Sequence, residues 1–321
     1  MLARRLCRGL PVFALQVALA QPPPATEEEA GRLRSRAAAA EKLPLRRTEL
    51  TVRPPADGFA LDFTSSAAFA ANGAIYLLQR GDKADPILAV SPAGEVLRSW
   101  GRGMFTIPHS IRLDPHGNVW TVDAASSAVY KFSPQGNTLL EIQVGGQPAN
   151  HPSAFKGTTD IAFAPDGRLF ISDGYANARI LEYTAKGKRI REWGKHGTGP
   201  GEFHLPHGLT IDPQGILYVA DRENGRIQRF TLEGKYLSEW NGFGKTFCIT
   251  ARGGAIWIGT QPRNLPNGAP GWLMKLDPRT GALLGVVESN GHHSVDANAR
   301  GEPITGVRPD KVLFFRRDDR R

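Results

Sequence analysis

Cysteine is nearly absent from this chain of 321 residues, which carries only Cys7 and Cys248. A framework of several disulfides is therefore excluded, and stability must come from a packed core. Long hydrophobic runs are also missing. The longest apolar stretch, from Leu10 to Leu19, is too short to span a bilayer, so no stable membrane insertion is expected. Nor is there a basic stripe interleaved with aromatics. The formal charge is +9, but Arg4, Arg5 and Arg8 contribute three of those charges at the extreme N-terminus. The remaining basic residues are scattered, apart from a short tail over 317–321 that includes Arg320 and Arg321. A nucleic-acid partner is not expected from that distribution. The first twenty residues combine the three arginines, the short apolar run and Ala18-Leu19-Ala20, which reads as a signal peptide over 1–20 and predicts an exported protein, periplasmic or extracellular. Its removal would take Cys7 with it and leave Cys248 alone.

What the chain has in quantity is turn chemistry, with 36 glycines and 24 prolines. After a proline-rich start, Thr26 to Leu43 is rich in Ala, Glu and Arg and predicts a peripheral helix. Thr26 would be its N-cap and Glu29 would complete a capping box. This extension covers 21–48, and a repeat fills 49–316. Its turn glycines are Gly73, Gly117, Gly167, Gly215, Gly254 and Gly301, spaced 44, 50, 48, 39 and 47 residues apart. That is the period of one propeller blade. An apolar strand follows each glycine, as in Val119-Trp120-Thr121 and Leu217-Tyr218-Val219. Two further strands complete most repeats. The pattern predicts an all-β fold, a six-bladed β-propeller. The sixth repeat ends at its third strand, Lys311 to Phe315. The segment Leu50–Arg53 is expected to supply the fourth and close the ring.

Three histidines share one register, each eight residues before a turn glycine: His109, His207 and His293. The six repeats read Ser65, His109, Thr159, His207, Thr246 and His293 at that position. The position starts the innermost strand, so alternate blades would aim three imidazoles at the axis. Three neutral histidines with an open fourth position describe a catalytic zinc site. Residues just after the second strand of each blade share that rim: Arg80, Ala124, Gly174 with Tyr175, and Arg222. Asp123, Asp173 and Asp221 recur there too and read as turn caps. His116, His151, His196, His204 and His292 fall out of register.

The stretches His109 to Trp120, Ser172 to Tyr175 with Asn177 and Arg179-Ile180, Leu205 to Leu209, and Ala220 to Gln228 resemble the NHL-repeat propellers. Among these they resemble the peptidyl-α-hydroxyglycine α-amidating lyases, from about residue 60 onward. The resemblance implies zinc on His109, His207 and His293, Tyr175 as catalytic base, and Arg80 and Arg222 around the substrate. It implies cleavage of a small peptide carbinolamide to an amide and glyoxylate, with a separate monooxygenase supplying that substrate. A monomer is expected. The family also carries an aspartate after the third histidine, tied to a structural calcium ion near the axis. Ser294 stands there in this chain, and Asp296 is a candidate substitute. Ala176, Tyr218 and Arg229 stand where the animal enzymes have half-cystines. Two other readings stay open: a non-catalytic propeller binding a peptide or protein partner, and a calcium-dependent lactonase or esterase, which needs Glu, Asn and Asp around its ion.

Overall fold

The computed structural model describes residues 24–317 apart from 54, 56, 149, 290, 291 and 308–310. The expected signal peptide (1–20) and residues 318–321 of the basic tail lie outside them. The described residues form six four-stranded antiparallel sheets, the blades of a propeller. The first five blades each use four consecutive strands. Their inner strands are Thr64–Phe69, Pro108–Leu113, Asp160–Phe163, Pro206–Ile211 and Lys245–Arg252, and the sixth begins with Asp296–Ala297. The strands end where the Asp-Pro-x-Gly turns dictate. Asp114 accepts the amides of His116 and Asn118, at 3.0 and 2.9 Å, and its own carbonyl accepts Gly117 N–H at 2.9 Å. Gly117 sits at φ 79°, a conformation glycine takes without a Cβ penalty.

The core lies between blades. A strand packed on both faces must be apolar at consecutive positions rather than alternate ones. Leu217–Asp221 is accordingly buried along its whole length. Its alternate side chains serve two neighbours: Leu217 and Val219 pack with Phe170 and Ile180 of the third blade, while Tyr218 and Ala220 pack with Ile249 and Ile258 of the fifth. Six such clusters ring the axis. Tyr218 and Arg229 are cross-strand partners, with the guanidinium 5.5 Å from the ring centre, so a cation–π contact stands where the relatives' half-cystines were expected. Cys248 is buried, its thiol 3.1 Å from the His292 carbonyl, and burial raises its pKa far above that of a free thiol.

The ring closes through the N-terminus, but not through the expected residues. The latch is Leu45–Glu49, which pairs antiparallel with Lys311–Arg317 from Leu45↔Arg317 to Glu49↔Leu313. Leu50–Arg53 instead crosses toward the first blade. Leu50 N–H still reaches the Val312 carbonyl at 2.9 Å, and Arg53 makes a parallel bridge to Glu95. The apolar residues of that segment pull it there, because Leu50 and Val52 pack on the cluster between the sixth and first blades. The helix, Glu27–Ala39, also differs from expectation. Thr26 caps it, accepting Glu29 N–H at 3.1 Å. The Glu29 side chain, however, leaves the capping box to pair with Arg263 at 3.0 Å. Leu33 and Ala37 are buried in the cluster between the fourth and fifth blades, so the helix is docked rather than peripheral.

Candidate metal centre

Two of the site histidines sit at an irregularity of their strands, and His293 lies just before the short strand Asp296–Ala297. The pairing of Pro108–Leu113 with its neighbour slips between Pro108 and Ser110, at His109. That of Pro206–Ile211 slips between Pro206 and Gly208, at His207. A bulge of this kind re-aims one side chain out of the sheet's alternation. In the first and fifth blades the slips fall at Ser65 and Phe247. The residue equivalent to the histidines in the fifth blade is therefore Phe247, not the expected Thr246. Backbone strain adds to the aim in the fourth blade. Leu205 stands at φ 67°, costly for a residue with a branched side chain, and is held by Arg222 N–H on its carbonyl at 3.2 Å.

The alternation of repeats has a structural meaning. His109 Nδ1 lies 2.6 Å from the Thr159 carbonyl, His207 Nδ1 2.6 Å from that of Phe247, and His293 Nδ1 2.8 Å from that of Ser65. Even-numbered blades supply imidazoles, and odd-numbered blades supply the carbonyls that orient them. A carbonyl only accepts, so each Nδ1 carries its proton and each Nε2 keeps a lone pair. The three rings stand 4.8 to 5.3 Å apart, edge to face, and their ligand atoms lie within 4.8 Å of one another. Burial, each other's charge and the nearby arginines hold His109 and His207 well below the ordinary histidine pKa. Neutral imidazoles with fixed tautomers and converging lone pairs fit a zinc ion.

Tyr175 closes the group. Its hydroxyl lies 2.9 Å from His109 Nε2 and 3.1 Å from His207 Nε2. The loop that carries it runs against the fourth blade. A Cβ on Gly174 would stand 2.2 Å from the Pro206 carbonyl oxygen, so only glycine permits the approach. Burial raises the Tyr175 pKa, and the Arg222 and Arg80 cations oppose that rise. Arg222 is buried and pairs with Glu223 at 2.8 Å. Arg80 donates from Nε to the Pro108 carbonyl at 2.9 Å.

Three aromatic residues complete the mouth, and none was singled out in the sequence. Phe63 meets His293 edge-on at 5.4 Å, Phe155 stands 5.0 Å from Tyr175, and Phe247 stands 5.8 Å from His207. The Arg80 guanidinium lies 4.7 and 5.3 Å from the Phe63 and Phe155 rings, and that of Arg222 lies 5.1 Å from Phe247. The only available signal was position: Phe63 and Phe247 lie within two residues of the histidine register. The funnel is thus apolar-walled and positively charged.

The other candidates fall elsewhere. Asp123 caps its turn, accepting the amides of Ala125 and Ser126 at 2.9 and 2.7 Å, whereas Asp173 holds the Arg179 side chain at 2.9 Å and Asp221 accepts His204 N–H at 2.7 Å and holds Arg226 at 2.8 Å. Arg226 is spent on that carboxylate, on Glu239 and on the carbonyls of Thr198, Gly199 and Glu202. His292 is buried away from the triad, with Nε2 3.2 Å from Gln261 Oε1. Asp296 does not reach the triad either. It accepts Phe69 N–H at 2.8 Å and faces Arg252 at 3.2 Å.

A family model described as a 6-bladed beta-propeller matches residues 154–251. Peptidyl-alpha-hydroxyglycine alpha-amidating lyase 2 of Drosophila melanogaster is 30% identical over 247 residues, 71% of this chain. The chain is a six-bladed β-propeller related in sequence to the peptidyl-α-hydroxyglycine α-amidating lyases. Peptidyl-glycine alpha-amidating monooxygenase of Mus musculus is similar too, 40% identical over 160 residues and 47% of this chain. The match spans 59% of the fly lyase and 16% of the mouse protein, less than two thirds of either. A streptogramin B lyase structure superposes with a TM-score of 0.56 over 84% of this chain and 97% of its own, at 16% identity, which bears on the fold alone.

Proposed function

We propose that the chain is an exported, zinc-dependent lyase that splits a peptidyl-α-hydroxyglycine, or a similar carbinolamide, into an amide and glyoxylate. The observation that carries this reading is the Tyr175 hydroxyl within hydrogen-bonding distance of two Nε2 atoms of the triad. His109, His207 and His293 would hold the ion. Zinc bound there would polarise the substrate hydroxyl and lower the proton affinity of groups beside it. Tyr175, ionised beside that ion and the Arg80 and Arg222 cations after giving its own proton to solvent, would take the carbinol proton. The electron pair of the O–H bond forms the new C=O bond as the C–N bond breaks, and the leaving amide nitrogen takes up a proton. The products are one amide and one glyoxylate.

The funnel suits that substrate. Arg80, set between Phe63 and Phe155, offers a guanidinium to the terminal carboxylate, and the phenyl rings favour an apolar residue before the hydroxyglycine. Replacing Arg80 with Gln is expected to raise KM by about 10- to 100-fold with a smaller effect on kcat. Steady-state kinetics on a peptide ending in α-hydroxyglycine checks this, against the same peptide ending in an α-hydroxy amide. Imidazoles at the axis favour this reading over a calcium lactonase. The direct test is glyoxylate release from that peptide by zinc-loaded protein. Turnover no faster than the uncatalysed rate, with zinc bound, would overturn the assignment and leave a binding propeller.

A further inference from the structure

One step along the axis from the triad, toward the opposite mouth, a guanidinium crosses the channel. Arg112 comes from the inner strand of the second blade. Its Nε and Nη2 donate to Asp160 of the third blade at 3.0 and 2.6 Å. Its Nη1 donates to the Val295 carbonyl of the sixth blade at 3.1 Å, and Nη2 to the Ile249 carbonyl of the fifth at 3.1 Å. Asp160 is itself saturated. It accepts the Ser110 hydroxyl, and the amides of Ile161 at 2.9 Å and of Leu209, from the fourth blade, at 3.3 Å. One buried ion pair thus joins five of the six blades around the axis. Burial works against the charge on Arg112, but Asp160 and, further off, Asp296 outweigh it and keep the guanidinium protonated.

A calcium ion near the axis does not fit these residues. Ser294 replaces the carboxylate, and its hydroxyl accepts Gly306 N–H at 3.3 Å. Asp160 is neutralised by Arg112, and Asp296 is engaged by Arg252 and the Phe69 amide. A divalent ion would need hard oxygen ligands and would meet a fixed positive charge instead.

We infer that Arg112 is the built-in cation of the propeller axis, a positioning residue that stands in the place of a structural calcium ion. Its neighbours show what it positions. Ser110 follows His109, Asp160 follows Thr159, whose carbonyl orients His109, and Val295 lies two residues after His293. The inference stands whether or not the chain is a lyase.

The test uses the full chain with zinc bound and calcium chloride as the probe. The wild-type Tm is expected to be the same in calcium-selective chelator and in millimolar calcium, with no calcium found by elemental analysis. In Arg112→Ala the Asp160 carboxylate and the two carbonyls would line a cation-sized space. That variant is expected to melt roughly ten degrees lower in chelator and to recover part of the loss as calcium is added. Adding Asp160→Asn should abolish the recovery. Arg112→Lys keeps a charge and should remain indifferent to calcium, which tests the idea even if the alanine variant fails to fold. Stoichiometric calcium in the wild-type protein, or a wild-type Tm that rises with calcium, would overturn the inference. So would an alanine variant as stable as wild type in chelator, or a lysine variant that gains a calcium response.

Discussion

Tyr175→Phe is expected to lower kcat for the carbinolamide by about 10²- to 10⁴-fold, the usual worth of a positioned general base, while zinc stays bound at one per chain. The substitution removes only the hydroxyl. The ring keeps its contacts with Phe155 at 5.0 Å and with His207 at 5.7 Å. The imidazoles keep the carbonyls of Thr159, Phe247 and Ser65 that fix their tautomers. His207→Ala should behave differently. It takes away one of three converging lone pairs, so zinc and turnover should be lost together. Zinc analysis alongside glyoxylate kinetics separates the two. A Tyr175→Phe enzyme with wild-type kcat would remove the base from the scheme. Equal loss of zinc in both variants would make Tyr175 a prop of the metal site.

Much of this was legible because blade architecture writes itself at long range. The glycines Gly117, Gly167 and Gly215 must recur wherever the inner strand turns back, so their period betrays the blades. The histidines are visible for the same reason: one register, every second blade. What the sequence hid depends on local irregularities. A bulge inserts one residue without changing composition, so Thr246 and Phe247 look equivalent until the pairing is seen. Arg112 escaped notice because an arginine on a strand ordinarily reads as solvent-facing. Only closure of the ring turns the innermost strand's polar positions toward one another. A charged residue three positions after a site histidine, on a strand with no solvent side, was the signal available. Asp160 was hidden likewise behind the threonine at the register position. The helix was misjudged because its Ala and Arg content is that of a surface helix, whereas only Ala30, Leu33 and Ala37 needed burial to dock it.

Removal of everything before residue 54 should cost the fold most of its stability. The truncated chain would lose the fourth strand of the sixth blade, Leu45–Glu49, and leave Lys311–Arg317 as an open edge. It would also uncover the apolar contacts of Leu43 and Leu45 on the cluster holding Trp257 and Phe315, and those of Leu50 and Val52 on the next cluster. Each such side chain is worth about 1.5–3 kcal/mol when fully buried, against a total stability of about 5–15 kcal/mol for a typical domain. Four partly buried side chains, a strand ladder and the docked helix with its buried Leu33 and Ala37 therefore approach the whole. The consequence reaches the site, because His293 stands on the blade that the latch completes. The expected result is a broad, low-temperature melt and weakened zinc binding, both partly restored by a synthetic peptide spanning residues 41–53. Circular dichroism melts and zinc titration check it. A truncated chain that melts at the wild-type temperature would show that five blades and three strands hold the ring without the latch, and that His293 is positioned without it.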